Sequence, residues 1–168
     1  EQSLVNARML YELLDMPPRQ ADKPGAEPLE IDNAEIAFRD VHFGYGNGET
    51  VLDGISFTAR AGKTTALVGP SGGGKSTIIN LVQRFYDLDG GEICVDGQNI
   101  ADITVKSLRS NIAYVSQQPI LFEGTIAENI AFGRPGASQE EIEAAAKQAQ
   151  AHDFITTFPD GYDTIIGQ

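Results

Sequence analysis

The most informative part of the chain reads Gly69-Pro70-Ser71-Gly72-Gly73-Gly74-Lys75-Ser76-Thr77. These residues satisfy the pattern GxxxxGK(S/T), which defines the P-loop. The short apolar run 66–68 before them predicts a strand covered on both faces, and residues 78–85 after them predict a helix. A strand, this loop and a helix, in that order, are the setting in which a P-loop binds phosphate.

The residue types of this segment suit a phosphate for separate physical reasons. The glycines at 72–74 let the backbone take conformations that a β-carbon blocks, so that its N–H groups turn inward. The Lys75 ammonium adds a full charge toward the β- and γ-phosphates, and the Ser76 hydroxyl is a hard oxygen ligand for Mg²⁺. We therefore expect residues 69–77 to bind a nucleotide. The alternative is a glycine-rich turn without a ligand, which the strand–loop–helix setting disfavours.

The overall charge of the chain excludes some partners and permits others. Its 168 residues include 12 Lys and Arg against 24 Asp and Glu, a formal net charge of −12. Nucleic acid is disfavoured as a partner, because binding to it needs a basic face that releases counterions. A nucleotide is still permitted, since the field at a P-loop is local. Cys94 is the single cysteine, so the chain has no intrachain disulfide.

Changes in composition predict the domain organisation. Residues 1–16 carry apolar side chains at helical spacing and end at Pro17 and Pro18, which predicts an amphipathic helix with a defined stop. The next stretch is rich in proline and mixed charge, and such a segment offers little apolar surface to offset its ordering entropy. We place a linker over 17–35 and a folded domain over 36–168.

Within the folded domain, several short segments have strand patterns. Alternation from Ile36 predicts a half-buried strand, and residues 55–58 repeat it after a turn signal at 53–54. Residues 91–97 predict a strand between turns, and residues 112–116 predict a second buried strand.

One helix start is marked clearly. Ser138 and Glu141 form an S-x-x-E capping box ahead of a run of good helix formers. Early strands, followed by mixed strands and helices, predict an α/β fold: a P-loop NTPase core with an antiparallel β subdomain.

Three runs of sequence carry a resemblance to a known family. They are residues 38–45, which end in Tyr45, the P-loop, and Ile112-Ala-Tyr-Val-Ser-Gln-Gln-Pro-Ile-Leu-Phe-Glu-Gly-Thr-Ile-Ala-Glu-Asn-Ile130. Together they resemble the nucleotide-binding domain of ATP-binding-cassette (ABC) transporters, of the exporter type with a membrane domain in the same chain. The resemblance implies an ABC ATPase-like fold, incomplete at the C-terminus, with ATP and Mg²⁺ as ligands. It also implies that Tyr45 stacks on adenine, a contact worth about 1–3 kcal/mol.

The resemblance assigns further roles after the P-loop. The family's Q-loop glutamine aligns with Gln117, whose carbonyl oxygen is a neutral ligand for Mg²⁺ and whose amide can position water. Ser76 and Gln117 are thus the implied metal ligands and Gln117 the implied catalytic residue, with a polar strand end as its alternative. In the family, the neighbourhood of Phe122 receives the coupling helices of the membrane domain, although ordinary core is the alternative for Phe122.

The N-terminal segment extends the resemblance toward a membrane. Residues 1–16 are similar to the cytoplasmic end of the last transmembrane helix of such exporters, with an independent surface helix as the alternative. The resemblance implies a location at the cytoplasmic face of a membrane, within an integral membrane transporter. It also implies a second nucleotide-binding domain as partner, in a homodimer or a heterodimer.

Several family motifs are not found in the 168 residues. The chain has no Leu-Ser-Gly-Gly-Gln-like signature, no Walker B run of four apolar residues and Asp with a following catalytic Glu, and no switch histidine. His42 and His152 lie at other positions and are expected at the surface. We interpret Asp96-Gly97 as a turn rather than as Walker B. Ile165 and Gln168 stand where the family commonly has Glu.

These observations predict ATP binding by this segment and transport-coupled ATP hydrolysis by the full-length protein. Because phosphoryl transfer needs a base or polariser at the attacking water, we expect the 168 residues alone to hydrolyse almost no ATP. Two alternatives stay open: a non-catalytic, nucleotide-dependent interaction module, and another P-loop NTPase such as a kinase or GTPase. The sequence has neither a substrate lid nor an Asn-Lys-x-Asp run, which disfavours the second.

Overall fold

The computed structural model describes residues 20–46 and 48–167. They form two compact units, with the boundary between Ala113 and Tyr114. The helix predicted over 1–16 and the first residues of the predicted linker lie outside the described residues. Among the described residues, no helix combines the length and the apolar composition that crossing a membrane requires.

A four-stranded antiparallel sheet organises the first unit. Phe38, Val41 and Phe43 of the first strand are buried, as its apolar pattern predicts. The strands expected from Ile36 and over 91–97 are confirmed. In the order β2-β1-β3-β4, the sheet consists of β1 (Ile36–Gly44), β2 (Thr50–Ala59), β3 (Gly90–Val95) and β4 (Gln98–Asn99).

A bulge interrupts β2 where the sequence predicts a turn. Between the residue pairs Val41–Ile55 and Phe43–Leu52, β2 contains one residue more than β1. The extra residue falls at 53–54, where Gly54 has a φ of 67°. The turn prediction is therefore wrong. An Asp-Gly pair supplies a left-handed residue, and a bulge inside a strand uses that conformation as readily as a turn does.

Two helices complete the core of the first unit. α1 (Lys75–Val82) follows the P-loop and confirms the helix predicted there, and α2 (Val105–Ser110) follows a 3₁₀ turn at Ile100–Asp102. Leu81 on α1 and Leu108 on α2 are both 0% exposed. Both side chains belong to the same buried cluster as the apolar strand residues. Burying a leucine side chain stabilises a fold by roughly 1.5–3 kcal/mol, so the two leucines hold their helices to this core.

The described part of the predicted linker is hydrogen-bonded to the first unit. Asp22 Oδ1 accepts the N–H of Val105 at 2.7 Å and so caps the start of α2. Lys23 Nζ lies 2.7 Å from a carboxylate oxygen of Asp102, and Leu29 is buried in the core. Tertiary contacts therefore order a segment whose composition by itself does not favour order.

Two predicted strands are absent from the described part of the chain. Residues 66–68 and 112–116 belong to neither a helix nor a strand, and no described segment pairs with them. Val68 is 88% exposed and Val115 is 91% exposed. Both predictions are wrong for these residues, because an apolar run forms a strand only where a neighbour supplies the ladder of hydrogen bonds.

The second unit is mainly helical. Ile126, Ala146 and Ile155 form its buried centre. Its elements are β5 (Gly124–Thr125), α3 (Ile126–Ala131), α4 (Gln139–Gln148), α5 (His152–Ile155) and β6 (Ile165–Ile166), and β5 pairs antiparallel with β6.

The capping box predicted for α4 is present. The Ser138 hydroxyl accepts the N–H of Glu141 at 3.3 Å, and the Glu141 carboxylate accepts the N–H of Ser138 at 2.9 Å. Thr125 and Glu128 form the same arrangement at the start of α3. Both helices therefore begin with their first N–H groups partly satisfied by side chains.

Candidate functional site

The P-loop enters α1 through a position that requires glycine. Gly74 has a φ of 78°, in the left-handed region. A β-carbon at this residue would lie 2.7 Å from Cδ2 of Leu52 on β2, closer than such atoms approach. Glycine satisfies both constraints because it has no β-carbon. The chain can therefore turn sharply into the helix while it stays packed against the sheet.

The N-terminus of α1 is left open. No side chain caps it, and no acidic residue lies in its first turn. α3 and α4, by contrast, both start with capping boxes. The first N–H groups of a helix have no partner within the helix and lie at the positive end of its dipole. α1 therefore offers hydrogen-bond donors and partial positive charge to an anion such as phosphate.

Lys75, the first residue of α1, folds its side chain back over the loop. Its ammonium donates to the carbonyl oxygen of Gly69 at 2.9 Å and to that of Pro70 at 2.6 Å. The N–H of Gly73 donates to the same Pro70 carbonyl at 3.2 Å. The ammonium thus lies beside the loop, where it can exchange neutral carbonyl partners for the stronger charge-assisted bonds to phosphate oxygens.

The hydroxyl groups of the P-loop have different surroundings. Ser71 and Ser76 are exposed, whereas Thr77 is buried and its Oγ1 lies 2.9 Å from the hydroxyl of Tyr45. No group of three or more His, Cys, Asp and Glu side chains among the described residues could hold a metal. A cation at the P-loop would depend on hydroxyl, phosphate and water oxygens, and the accessible Ser76 hydroxyl fits Mg²⁺ in that way.

Tyr45 lies in the loop between β1 and β2 and is 40% exposed. Its ring packs edge to face with Phe43 and Tyr86, at centroid distances of 4.9 and 5.1 Å. The three rings line a surface depression of about 600 Å³, together with Asp87 and Asp89 among others. This volume is in the range of small-molecule sites, and a planar base can stack on an aromatic ring there.

Gln117 belongs to the second unit and is exposed. Ser116 Oγ donates to the Gln118 carbonyl at 2.8 Å, so a side chain bridges the backbone around Gln117. Phe122, in the same unit, is 50% exposed and stacks on Phe132 at a centroid distance of 4.4 Å. Phe122 is therefore a surface residue of this unit rather than part of its core, and the role of Gln117 stays a prediction.

Asp96 and Gly97 form a turn, which confirms the prediction. Asp96 also has a structural role. Asp96 follows β3 with a φ of 48°, and its carboxylate accepts the N–H groups of residues 32–35 at 2.8–3.0 Å. These bonds, led by the one from Ala34, lower the pKa of Asp96 to about 2 from its ordinary 3.8. The carboxylate is fully engaged by the loop before β1.

The two histidines are only in part the surface residues that we expected. His42 retains 39% side-chain exposure but lies between two carboxylates, 3.3 Å from Asp40 and 3.1 Å from Asp53. His152 is partly buried, with its Nδ1 2.9 Å from the hydroxyl of Tyr162.

Two residues around Tyr45 were not identifiable from the sequence. Phe43 has the pattern of an ordinary strand residue, and Tyr86 follows α1 without belonging to any motif. Their contact with Tyr45 arises from tertiary packing, which local sequence patterns do not record.

Comparison with known families assigns the chain. Its residues 52–165 match the sequence model described as ABC transporter. The chain belongs to the ABC transporter family. The matched range contains the complete P-loop and extends through both units, so the resemblance to this family is confirmed.

Relatives described as ABC transporter proteins match the whole chain, and two of them illustrate the likeness. An uncharacterized ABC transporter ATP-binding protein, y4gM, from Sinorhizobium fredii is 53% identical over 168 residues, which are 100% of this chain and 29% of the relative. An ATP-dependent lipid A-core flippase from Desulfotalea psychrophila is 46% identical over 168 residues, with the same coverage of 100% and 29%. The chain therefore spans under a third of the length of these ABC transporters.

A solved ABC structure has the same fold. It is described as a bacterial Atm1-family ABC exporter with ATP bound, and it matches with a TM-score of 0.91 and 46% identity. The match covers 99% of this chain and 30% of the exporter chain. The ABC ATPase-like α/β fold with an antiparallel sheet is thereby confirmed.

Proposed function

We propose that this chain is the ATP-binding part of an ABC exporter in which ATP binding and hydrolysis drive transport across a membrane. The open N-terminus of α1, with the Lys75 ammonium beside it, carries the proposal. A polyphosphate satisfies the helix N–H groups and the ammonium at the same time. The likeness to an exporter solved with ATP bound supports ATP as that polyphosphate.

The proposed roles divide the site by chemistry. Residues 69–77 hold the phosphates, and Tyr45 stacks on the adenine. Ser76 and Gln117 hold Mg²⁺, which supplies neutralising charge to the phosphates. The exposed amide of Gln117 also positions water. Ser76 and Gln117 are both exposed residues, which is consistent with these roles.

We further propose that the chain acts at the cytoplasmic face of a membrane. Its partners would be a second nucleotide-binding domain and a membrane domain that contacts the region of Phe122. The exposed, stacked pair of Phe122 and Phe132 supports a contact there, because exposed apolar surface often marks an interface. The relatives' descriptions as a flippase and an exporter support the transport role.

Binding and turnover, measured together, test the proposal. We expect isothermal titration to detect weak Mg-ATP binding by the 168-residue chain, and a phosphate-release assay to detect almost no turnover. Clear turnover by the purified chain would contradict the prediction that its catalytic site is incomplete. Absence of ATP binding would contradict the proposed function itself.

The alternatives make different predictions for a full-length protein. Membership of the ABC family excludes a P-loop kinase or GTPase. A nucleotide-dependent interaction module would bind ATP without hydrolysing it at any length. Phosphate release by the full-length protein, abolished by Lys75→Ala, would separate the proposed ATPase from that module.

A further inference from the structure

The ring of Tyr45 is held from three sides. Its hydroxyl lies 2.9 Å from Oγ1 of Thr77. Phe43 and Tyr86 pack against the ring at interplanar angles of 84° and 89°. Phe43 and Tyr86 also contact each other, with centroids 5.5 Å apart. The three rings form a closed set, and the hydroxyl bond ties one member of it to α1.

The backbone at Tyr45 does not by itself fix the ring. Tyr45 lies between Gly44 and Gly46, and Gly46 has a φ of 55°. Glycine neighbours allow many backbone conformations, so the orientation of the ring depends on its side-chain contacts. Thr77 is 5% exposed and is therefore a stationary anchor, while Tyr45 keeps 40% of its surface exposed for a ligand.

We propose that Thr77 and Tyr86 are positioning residues for the nucleobase. Thr77 holds the Tyr45 hydroxyl and Tyr86 packs against the Tyr45 ring, so that the ring is already oriented when the base arrives. Preorganisation of this kind raises affinity because less freedom is lost on binding. The inference rests on the proposed function. It assigns part of the ATP affinity, the part that depends on the base, to residues that do not need to touch the base.

The proposal separates two parts of the affinity for ATP. Within residues 69–77, the backbone N–H groups and the Lys75 ammonium act on the phosphates. The Thr77 side chain, whose Oγ1 contacts the Tyr45 hydroxyl, acts together with Tyr86 on the base through Tyr45. The ratio of ATP affinity to inorganic tripolyphosphate affinity isolates the base part. A merely structural role for Thr77 would change both affinities and leave this ratio unaltered.

The experiment measures both affinities by isothermal titration with Mg²⁺ for the chain and its variants. Thr77→Val and Tyr45→Phe each remove the hydroxyl bond and should lower the ratio by roughly three- to tenfold. Thr77→Ser keeps the hydroxyl and should keep the affinity ratio of the unaltered chain. The double variant Thr77→Val/Tyr45→Phe should show the same affinity ratio as either single variant, because both substitutions remove the same interaction. Tyr45→Ala removes the ring and should have the largest effect.

Tyr86 and a control site complete the test. Tyr86→Leu should lower the ratio, whereas Tyr86→Phe, which retains the ring, should not. Thr58→Val makes the same hydroxyl-to-methyl change at an exposed position of β2 and should leave the ratio as it is. Thermal unfolding of each variant confirms that it is folded.

The possible failures are distinguishable. If the unaltered chain binds neither ATP nor tripolyphosphate, the proposed function is wrong. If the unaltered chain binds both but Thr77→Val and Tyr45→Phe leave the affinity ratio unchanged, only the positioning role of Thr77 is wrong. Additive losses in the double variant would also contradict it, since they would mean that the two hydroxyls act separately.

Discussion

At the scale of single residues, Asp96 shows how one carboxylate orders a loop. It accepts N–H groups from residues 32–35, where the chain passes from the predicted linker into β1. Ala34 has a φ of 62° in this loop, a conformation that a non-glycine residue rarely adopts without compensating bonds. The ionised carboxylate supplies those bonds.

The pH dependence of this loop follows from the pKa of Asp96. Because the pKa is lowered to about 2 from 3.8, the carboxylate stabilises the fold at pH values above 3.8 and this contribution is lost as the pH falls through about 2. We expect the amide NMR signals of Asn33 and Ala34, whose own side chains carry no acid or base, to titrate with a midpoint near 2. The Asp96→Asn variant should destabilise the chain at neutral pH and abolish that titration. A midpoint near 3.8 would show that the bonds do not persist in solution.

Single residues also show which parts of the site the sequence could reveal. The glycines and Lys75 were predictable because the P-loop imposes its backbone conformation and charge locally. The contact between Tyr45 and Thr77 was not, since 32 positions separate the two residues. The Asp96-Gly97 pair predicts a turn, whereas no local pattern predicts the bonds of Asp96 to a loop more than 60 positions earlier.

At the scale of elements, the starts of the helices differ in a way that matches the role proposed for α1. α4 begins with a capping box, whereas α1 has no side-chain cap. A capped N-terminus stabilises its helix, while an uncapped one keeps its N–H groups available to a ligand. The stability of α4 should therefore depend on Ser138.

We predict that Ser138→Ala destabilises α4 by about 1 kcal/mol. The measurement is the amide hydrogen exchange of α4, which should accelerate in the variant. Ser138→Asp is the matched control, because aspartate is an equally good N-cap and should keep the exchange slow. If exchange in Ser138→Ala were as slow as in Ser138→Asp and in the unaltered chain, the capping box would contribute nothing to the stability of α4.

Strand predictions are confirmed only where a described neighbouring strand supplies the pairing. β1 and β3 were predictable because they pair with each other over most of β3. Residues 66–68 and 112–116 have equally apolar patterns but no described neighbour, and they form no strand. Apolar pattern reports a tendency to be buried, whereas a strand also needs a partner for its backbone.

At the scale of the whole molecule, net charge and local charge act separately. The chain carries a formal charge of −12, yet the P-loop combines an uncapped helix start with a lysine. Charges within a few ångströms dominate a bound anion, because solvent screens those beyond about 10 Å at ordinary ionic strength. An acidic protein can therefore bind an anionic nucleotide.

The most direct test of the account is the affinity of Mg-ATP for two matched variants, measured by isothermal titration. Lys75→Ala removes the ammonium beside the P-loop, and Lys63→Ala removes an exposed ammonium elsewhere in the first unit. Lys63→Ala should bind Mg-ATP with the affinity of the unaltered chain. Lys75→Ala should lose roughly 10- to 100-fold or more in affinity, because charge-assisted bonds to phosphate are lost. Equal affinities for the two variants would contradict the assignment of the nucleotide site.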